Sequence, residues 1–303
     1  MLKDESDAQD MMTVPEVARY LRLKERKIYD LLAQKRIPCT RVTGKWLFPK
    51  EQIDIWLKQN SEFQVQPGAE VRQLPQVVVG SHDPLLEWAL GETGYPLAMQ
   101  MNGSTEGLER FAADEGVLCG IHLLDPETGE YNLPAVKAHL KGAEVVVLHW
   151  AWREQGLVLP AGNPLGIRAL SDLVRTRARI IERQEGAGSR LLFRHLLKQS
   201  GLSIESLNLL PQPARGHVDI GLAVCSGQAD AGIAVQSVAR QMKLEFLPLA
   251  RERFDLVIRR RDYFEPPFQT LLKFTRTPEF AEKARSLGGY DIGALGEVLY
   301  NSP

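Results

Sequence analysis

Three short segments of this 303-residue chain share one form: a glycine, one or more hydroxyl side chains, and the start of a helix. They are Gly80-Ser81-His82-Asp83, Asn102-Gly103-Ser104-Thr105 and Glu185-Gly186-Ala187-Gly188-Ser189-Arg190. Backbone N–H groups at a helix start have no intrahelical acceptor and sit at the positive end of the helix dipole. With Ser and Thr hydroxyls beside them they bind anionic groups without needing a cation. The candidate ligand contacts are therefore Ser81, His82, Ser104, Thr105, Gly188, Ser189, Arg190 and His217. Arg190 is expected to give a bidentate contact, whereas Arg183 reads as half of a structural ion pair. Each hydroxyl has the plainer alternative of a helix cap. His82, His122 and His217 have that of a satisfied polar residue.

Chemistry beyond binding finds no residue set. GxSxG, HExxH and Walker patterns are absent from the sequence, and the GAGSR run is too short for a dinucleotide fingerprint. Cys39, Cys119 and Cys225 are scattered, giving neither a metal-ligand pair nor an even disulfide framework. The expectation is a non-enzymatic protein with no catalytic residues, no metal and no cofactor.

A second group of residues suits a polyanion. The net charge is −1, but residues 11–60 hold eleven Lys/Arg against five Asp/Glu. A basic module on a mildly acidic body points to nucleic acid as partner for that module alone. Lys24, Arg26, Lys27, Arg41 and Lys45 are its candidate DNA contacts.

The elements that must position these residues follow from local signals. Thr13-Val14-Pro15-Glu16 reads as a capping box, and Val14, Val17, Ala18 and Leu21 make one apolar helical face. A break at Arg22–Lys24 leads to a second helix over Glu25–Gln34, with Ile28, Leu31 and Leu32 inward. Ile37–Val42 and Trp46–Phe48 flank a Gly44 turn as a β-hairpin, and Lys50–Gln59 closes the module with Ile53, Trp56 and Leu57 facing its core. A polar stretch with Pro67-Gly68 reads as a linker, here residues 61–72. Beyond it strands and helices alternate, as in an α/β sheet with crossovers. Strands are expected at 75–80, 97–101, 117–123, 144–149, 157–160, 179–182, 231–234, 246–249 and 254–259. Helices are expected at 83–90, 104–114, 133–140, 189–199, 217–226 and 236–241. Two such halves joined by crossing strands form a two-lobed binding domain over residues 73–303, with its ligand between the lobes.

Two resemblances sharpen this. The segment TVPEVARYLRLKERKIYDLLAQKRIPCTRVTGKWLFPKEQIDIWL resembles the excisionase-type winged helix-turn-helix, a relative of the MerR DNA-binding domain, through Arg41, Val42, Gly44, Trp46 and the closing IDIWL helix. That resemblance implies Lys24, Arg26 and Lys27 at the major groove, with Arg41 and Lys45 on phosphates or the minor groove. Gly120–Asn132, Trp152–Ile167, Glu182–Leu197, Gly216–Val235 and Phe254–Ile258 occur in order. Together they resemble the cytosolic periplasmic-binding-protein-like domain also found with MoeA-type molybdopterin-biosynthesis proteins. The family's loop is close to NRQxGSGTR; here Glu182 replaces Asn, Ala187 replaces Ser and Ser189 replaces Thr.

The expected protein is thus an α/β chain in which a winged helix-turn-helix precedes a type II periplasmic-binding-protein-like domain. Its expected role is a transcription regulator that binds double-stranded DNA and senses a small anion. Molybdate or tungstate is the first ligand candidate and an organic acid the second. A scaffold docking a partner protein, or an architectural excision factor, is the alternative. A fifty-residue module contacts little DNA, so a homodimer or higher oligomer is expected. The polar, acidic start MLKDESDAQD reads as neither secretory signal nor transit peptide, and no apolar run spans a bilayer, which points to the cytoplasm.

Overall fold

The computed structural model describes residues 11–42, 44–59 and 74–302; the expected linker at 61–72 lies outside them. The described residues fall into two compact units, one before Leu74 and one from Leu74 onward.

In the first unit Glu16 reaches back across the first turn to accept from the Thr13 backbone N–H at 2.8 Å, so helix α1 (Val14–Tyr20) starts where the sequence signal lies. Helix α2 spans Glu25–Ala33, strands β2 (Thr40–Val42) and β3 (Lys45–Pro49) form the hairpin, and α3 spans Lys50–Gln59. Gly44 takes φ +83° in the turn, a conformation that only glycine adopts without strain. A strand the sequence did not announce, β1 (Met11–Met12), pairs with β3 to give the order β1-β3-β2. Val14, Val17, Ala18, Ile28, Leu31, Ile37, Phe48 and Ile53 make the core, but Leu57, expected there, is 42% exposed.

The second unit opens with β4 (Val77–Gly80), α4 (Pro84–Glu92), β5 (Ala98–Gln100), α5 (Ser104–Ala112), β6 (Leu118–Ile121) and α6 (Leu133–His139). Then come β7 (Val145–Leu159), α7 (Leu170–Arg175), β8 (Arg179–Ile181), α8 (Gly188–Gln199), β9 (Asn208–Leu209), α9 (His217–Cys225), β10 (Ala231–Val235) and α10 (Gln236–Gln241). The chain ends through β11 (Glu245–Arg259), α11 (Arg260–Tyr263), α12 (Pro266–Phe274), α13 (Pro278–Leu287), β12 (Tyr290–Asp291) and β13 (Val298–Asn301). Strands β7 and β11, each expected as two short strands, are single antiparallel strands of 15 residues. They run through both lobes. The first lobe orders its strands β5-β4-β6-β11-β7, and the second continues β7-β10-β8-β9.

Each lobe buries both faces of its sheet, because consecutive side chains of a strand point to opposite faces. Val78, Val146, Leu148 and Trp150 enter one core of the first lobe, while Val79, Val145 and Val147 enter the other. In the second lobe Leu157, Ile180 and Ile233 face one side, and Val158, Ile181 and Ala234 the other. This sandwiching leaves the strand ends and helix starts of both lobes as the edges that meet.

Candidate ligand cleft and DNA-facing surface

Strands β4, β5 and β6 are neighbours, so the loops that leave them lie side by side on one rim of the first lobe, where the cleft is expected. Gly80, at φ +105°, turns the chain where a Cβ would lie 2.3 Å from the Gly120 carbonyl oxygen. Ser81 and Ser104 point inward and share a hydrogen bond of 2.8 Å, and Ser104 Oγ also accepts from the His122 backbone N–H at 3.1 Å. Both hydroxyls of the first lobe are thus already paired.

The facing rim belongs to the starts of α8 and α9. Gly188 sits so close to the first lobe that a Cβ there would lie 2.3 Å from the His122 carbonyl oxygen and 2.8 Å from its ring. Gln184 Nε2 donates to the Asn102 carbonyl at 3.0 Å, tying the rims together, and the His122 and His217 rings are 6.2 Å apart. Thr105 is half-buried opposite Gly186.

Polar atoms of this second rim lack partners. Ser189 Oγ, both His217 ring nitrogens, Arg183 Nε and the Gln184 side-chain oxygen are all buried with no hydrogen bond among the described residues. A buried donor or acceptor left unpaired costs free energy, and native proteins keep few of them. Burial pushes the Arg183 guanidinium down to about 10. Its one hydrogen bond goes to the Arg215 carbonyl, at 2.9 Å, and no carboxylate among the described residues pairs with it. Burial, with Arg183 and Arg153 nearby, holds His217 well below the usual imidazole range, so its ring is neutral.

Of the two arginines flanking the glycine loop, Arg190 is the one in an ion pair. Arg190 Nε lies 3.2 Å from Glu182, a carboxylate shared with Arg194 at 2.9 Å. His82 is likewise engaged, by Glu87 at 2.8 Å, near the surface. Glu182 thus engages the arginine expected for the ligand, while Arg183 has no carboxylate partner among the described residues.

Behind the rims, the crossing strands carry a charge cluster that sequence reasoning did not find. Arg153 on β7 pairs across the strands with Glu252 on β11 and reaches Asp83 at 3.0 Å. Glu252 also accepts from His122 Nδ1 at 2.7 Å and from Gln155 Nε2 at 2.8 Å. Burial by itself would raise the Glu252 carboxyl, but Arg153 and His122 hold it at about 2. Asp83 accepts further from Leu86 N–H, Trp150 Nε1 and Tyr290 Oη. The available signal was the pair of charged runs Arg153-Glu154-Gln155 and Arg251-Glu252-Arg253, each flanked by apolar residues on both sides.

In the first unit Lys24 is the N-cap of α2, and Lys24, Arg26 and Lys27 are exposed. Arg41 and Lys45 are exposed on the hairpin, with the Arg41 guanidinium 5.0 Å from the Trp46 ring centre. Tyr29, 52% exposed on the same helix, is a further contact candidate that the sequence reading passed over.

Residues 88–276 match the PBP superfamily domain. The chain belongs to that family. A helix-turn-helix domain matches residues 11–61, ahead of the PBP domain. The Bacillus subtilis protein YvgK is 29% identical over 305 residues, covering 95% of this chain and 97% of that protein. Among solved structures, one named as a phosphate ABC transporter substrate-binding protein with bound phosphate, from Clostridium perfringens, is 12% identical with a TM-score of 0.53. It covers 73% of this chain and 98% of its own, so the PBP domain has the type II substrate-binding fold. The Synechocystis CcmR regulatory domain in complex with 2-PG is 14% identical, covers 65% of this chain and 92% of its own, and has a TM-score of 0.48. No helix among the described residues is long and apolar enough to cross a membrane.

Proposed function

We propose that this chain is a ligand-responsive transcription regulator. Its helix-turn-helix domain reads double-stranded DNA, and its PBP domain holds a small anion between the lobes. One observation carries the ligand half: Arg183, Ser189 and His217 lie buried on one rim with donors that nothing among the described residues uses. An anion bound there accepts from all three and from backbone N–H groups at the starts of α8 and α9. The phosphate held by the Clostridium perfringens protein of like fold supports a ligand of oxyanion size. Molybdate or tungstate and a small organic acid are the two ligand classes to separate. Ser81, Ser104, Thr105 and Gly188 then shape the cleft, and closure of the lobes on the ligand needs no catalytic step.

The DNA half assigns Lys24, Arg26 and Lys27 to the major groove and Arg41 and Lys45 to phosphates, in the manner of excisionase and MerR-type modules. Two copies are needed for two half-sites, so the regulator acts as a homodimer in the cytoplasm. The test is reciprocity on the full chain: gel-shift affinity for its own promoter, with and without saturating phosphate or molybdate, against calorimetric affinity for the anion with and without DNA. Sensing requires both affinities to change by the same factor. An anion that binds while leaving DNA affinity unchanged reduces the PBP domain to a scaffold.

A further inference from the structure

The cleft holds acceptors as well as donors, and together with its charges they describe the ligand more closely. We infer that the ligand is a singly charged anion carrying a hydrogen-bond donor of its own, the chemistry of a hydroxy acid or a hydrogen phosphate group. This rests on the anion-sensing reading above.

The first observation is the pair of glutamine side-chain oxygens. Gln155 Oε1 and Gln184 Oε1 are buried and accept nothing. Their amide orientations are fixed from the other end. Gln155 Nε2 donates to the Glu252 carboxylate at 2.8 Å and Gln184 Nε2 to the Asn102 carbonyl at 3.0 Å. Carboxylates and carbonyls only accept, so neither amide can turn without facing oxygen to oxygen. Both oxygens therefore need an O–H or N–H that the described residues do not supply. A fully deprotonated tetrahedral dianion such as molybdate or sulfate has none to give.

The second observation is charge balance. Glu182 and Asp255 are buried too but have arginines of their own, Arg190 with Arg194 and Arg253, which leaves Arg153 and Arg183 against Asp83 and Glu252 around the two histidines. Asp219, outside the buried set, is occupied by the Arg215 and Gly216 backbone N–H groups at the start of α9. With His122 and His217 neutral, these four ions sum to zero. A monoanion against Arg183 leaves one uncompensated charge, which His217 can offset by taking up a proton. A dianion leaves two, and the cost of burying unpaired charge rises steeply.

Phosphate and sulfate make the test, since they are nearly isosteric. At mildly acidic pH phosphate is a monoanion with two O–H donors and sulfate a dianion with none. Calorimetry on the full chain at that pH, with phosphate, sulfate, molybdate, glycolate and acetate, should place phosphate at least about tenfold tighter than sulfate, and glycolate above acetate by a similar factor. Gln155→Leu and Gln184→Leu should each erase most of the phosphate preference while leaving sulfate affinity near its starting value. Should Gln155→Leu fail to fold, as its contact with Glu252 makes conceivable, Gln184→Leu carries the test. Sulfate or molybdate binding as tightly as phosphate, or both variants retaining the full preference, overturns this inference and leaves the anion sensor standing. No binding of any of the five anions overturns both.

Discussion

Two regions of this molecule offer cations to an anion, and they do it in opposite ways. On the helix-turn-helix unit Lys24, Arg26, Lys27, Arg41 and Lys45 are all exposed, each solvated and each screened by salt. In the PBP domain Arg183 is 6% exposed and, unlike the buried Arg153, pairs with no carboxylate among the described residues. Many screened charges suit a long polyanion, where the counterions released by each contact add up. One desolvated charge beside fixed neutral donors suits a small anion whose shape must be read. The difference predicts that raising salt weakens DNA binding steeply and ligand binding little.

Mutations can break this comparison. The largest effect is expected from replacing Lys24, Arg26 and Lys27 together with Ala. If they meet the major groove, specific promoter binding in a gel shift should drop by three orders of magnitude or more, at roughly 1–3 kcal/mol per base contact. Circular dichroism should meanwhile show the PBP domain unchanged. Next is Arg183→Met, which should weaken phosphate binding about a hundredfold by calorimetry, because a charge-assisted bond is lost from a dry site. Arg190→Met should cost far less, since Glu182 already holds that side chain. Equal losses for the two arginines would show that the buried cation has no special place.

The two rims sharpen the comparison further. Ser189→Ala removes an unpaired hydroxyl, so phosphate affinity should fall about tenfold while the unliganded melting temperature holds or rises. Ser104→Ala should do the reverse, lowering the melting temperature, because its hydroxyl is bonded to Ser81 and His122.

His217 supplies a pH test. Its folded-state proton affinity lies below the ordinary value of 6.5, so the folded protein binds fewer protons than the unfolded chain. Its contribution is therefore complete above that value and is lost as the pH falls below it, by about 1.4 kcal/mol per pH unit for one proton. His217→Gln should flatten the acid limb of the stability curve by that slope, and phosphate should restore stability most at low pH. The smallest effect is expected from Lys45→Ala, a few-fold loss of DNA affinity that is similar for all sequences, as a phosphate contact requires.

Much of this was readable along the chain. The Thr13–Glu16 box, the apolar faces of α1 and α2, and the glycine turn at Gly44 are signals confined to a few residues, and the elements stand where those signals lie. The same holds for the three glycine-and-hydroxyl loops, each of which leads into a helix start, and for the alternation of strands and helices after Leu74. Local dihedral preference and hydrogen bonding within a turn are properties of neighbouring residues, so sequence determines them.

Other features depended on partners far along the chain. The long strands β7 and β11 are continuous through Arg153-Glu154-Gln155 and Arg251-Glu252-Arg253, the stretches between the short strands expected from sequence, because Arg153 is set against Glu252 across the pair. Likewise nothing near Arg183 or Arg190 says which is free. Glu182 decides that by reaching Arg190 and Arg194 along α8, while the fold carries Arg183 past it beside His217. Charge compensation and burial are set by residues that can lie more than a hundred positions apart, such as His122 and Glu252, so only the tertiary structure could decide which polar groups were spent on the fold and which were left without a partner among the described residues.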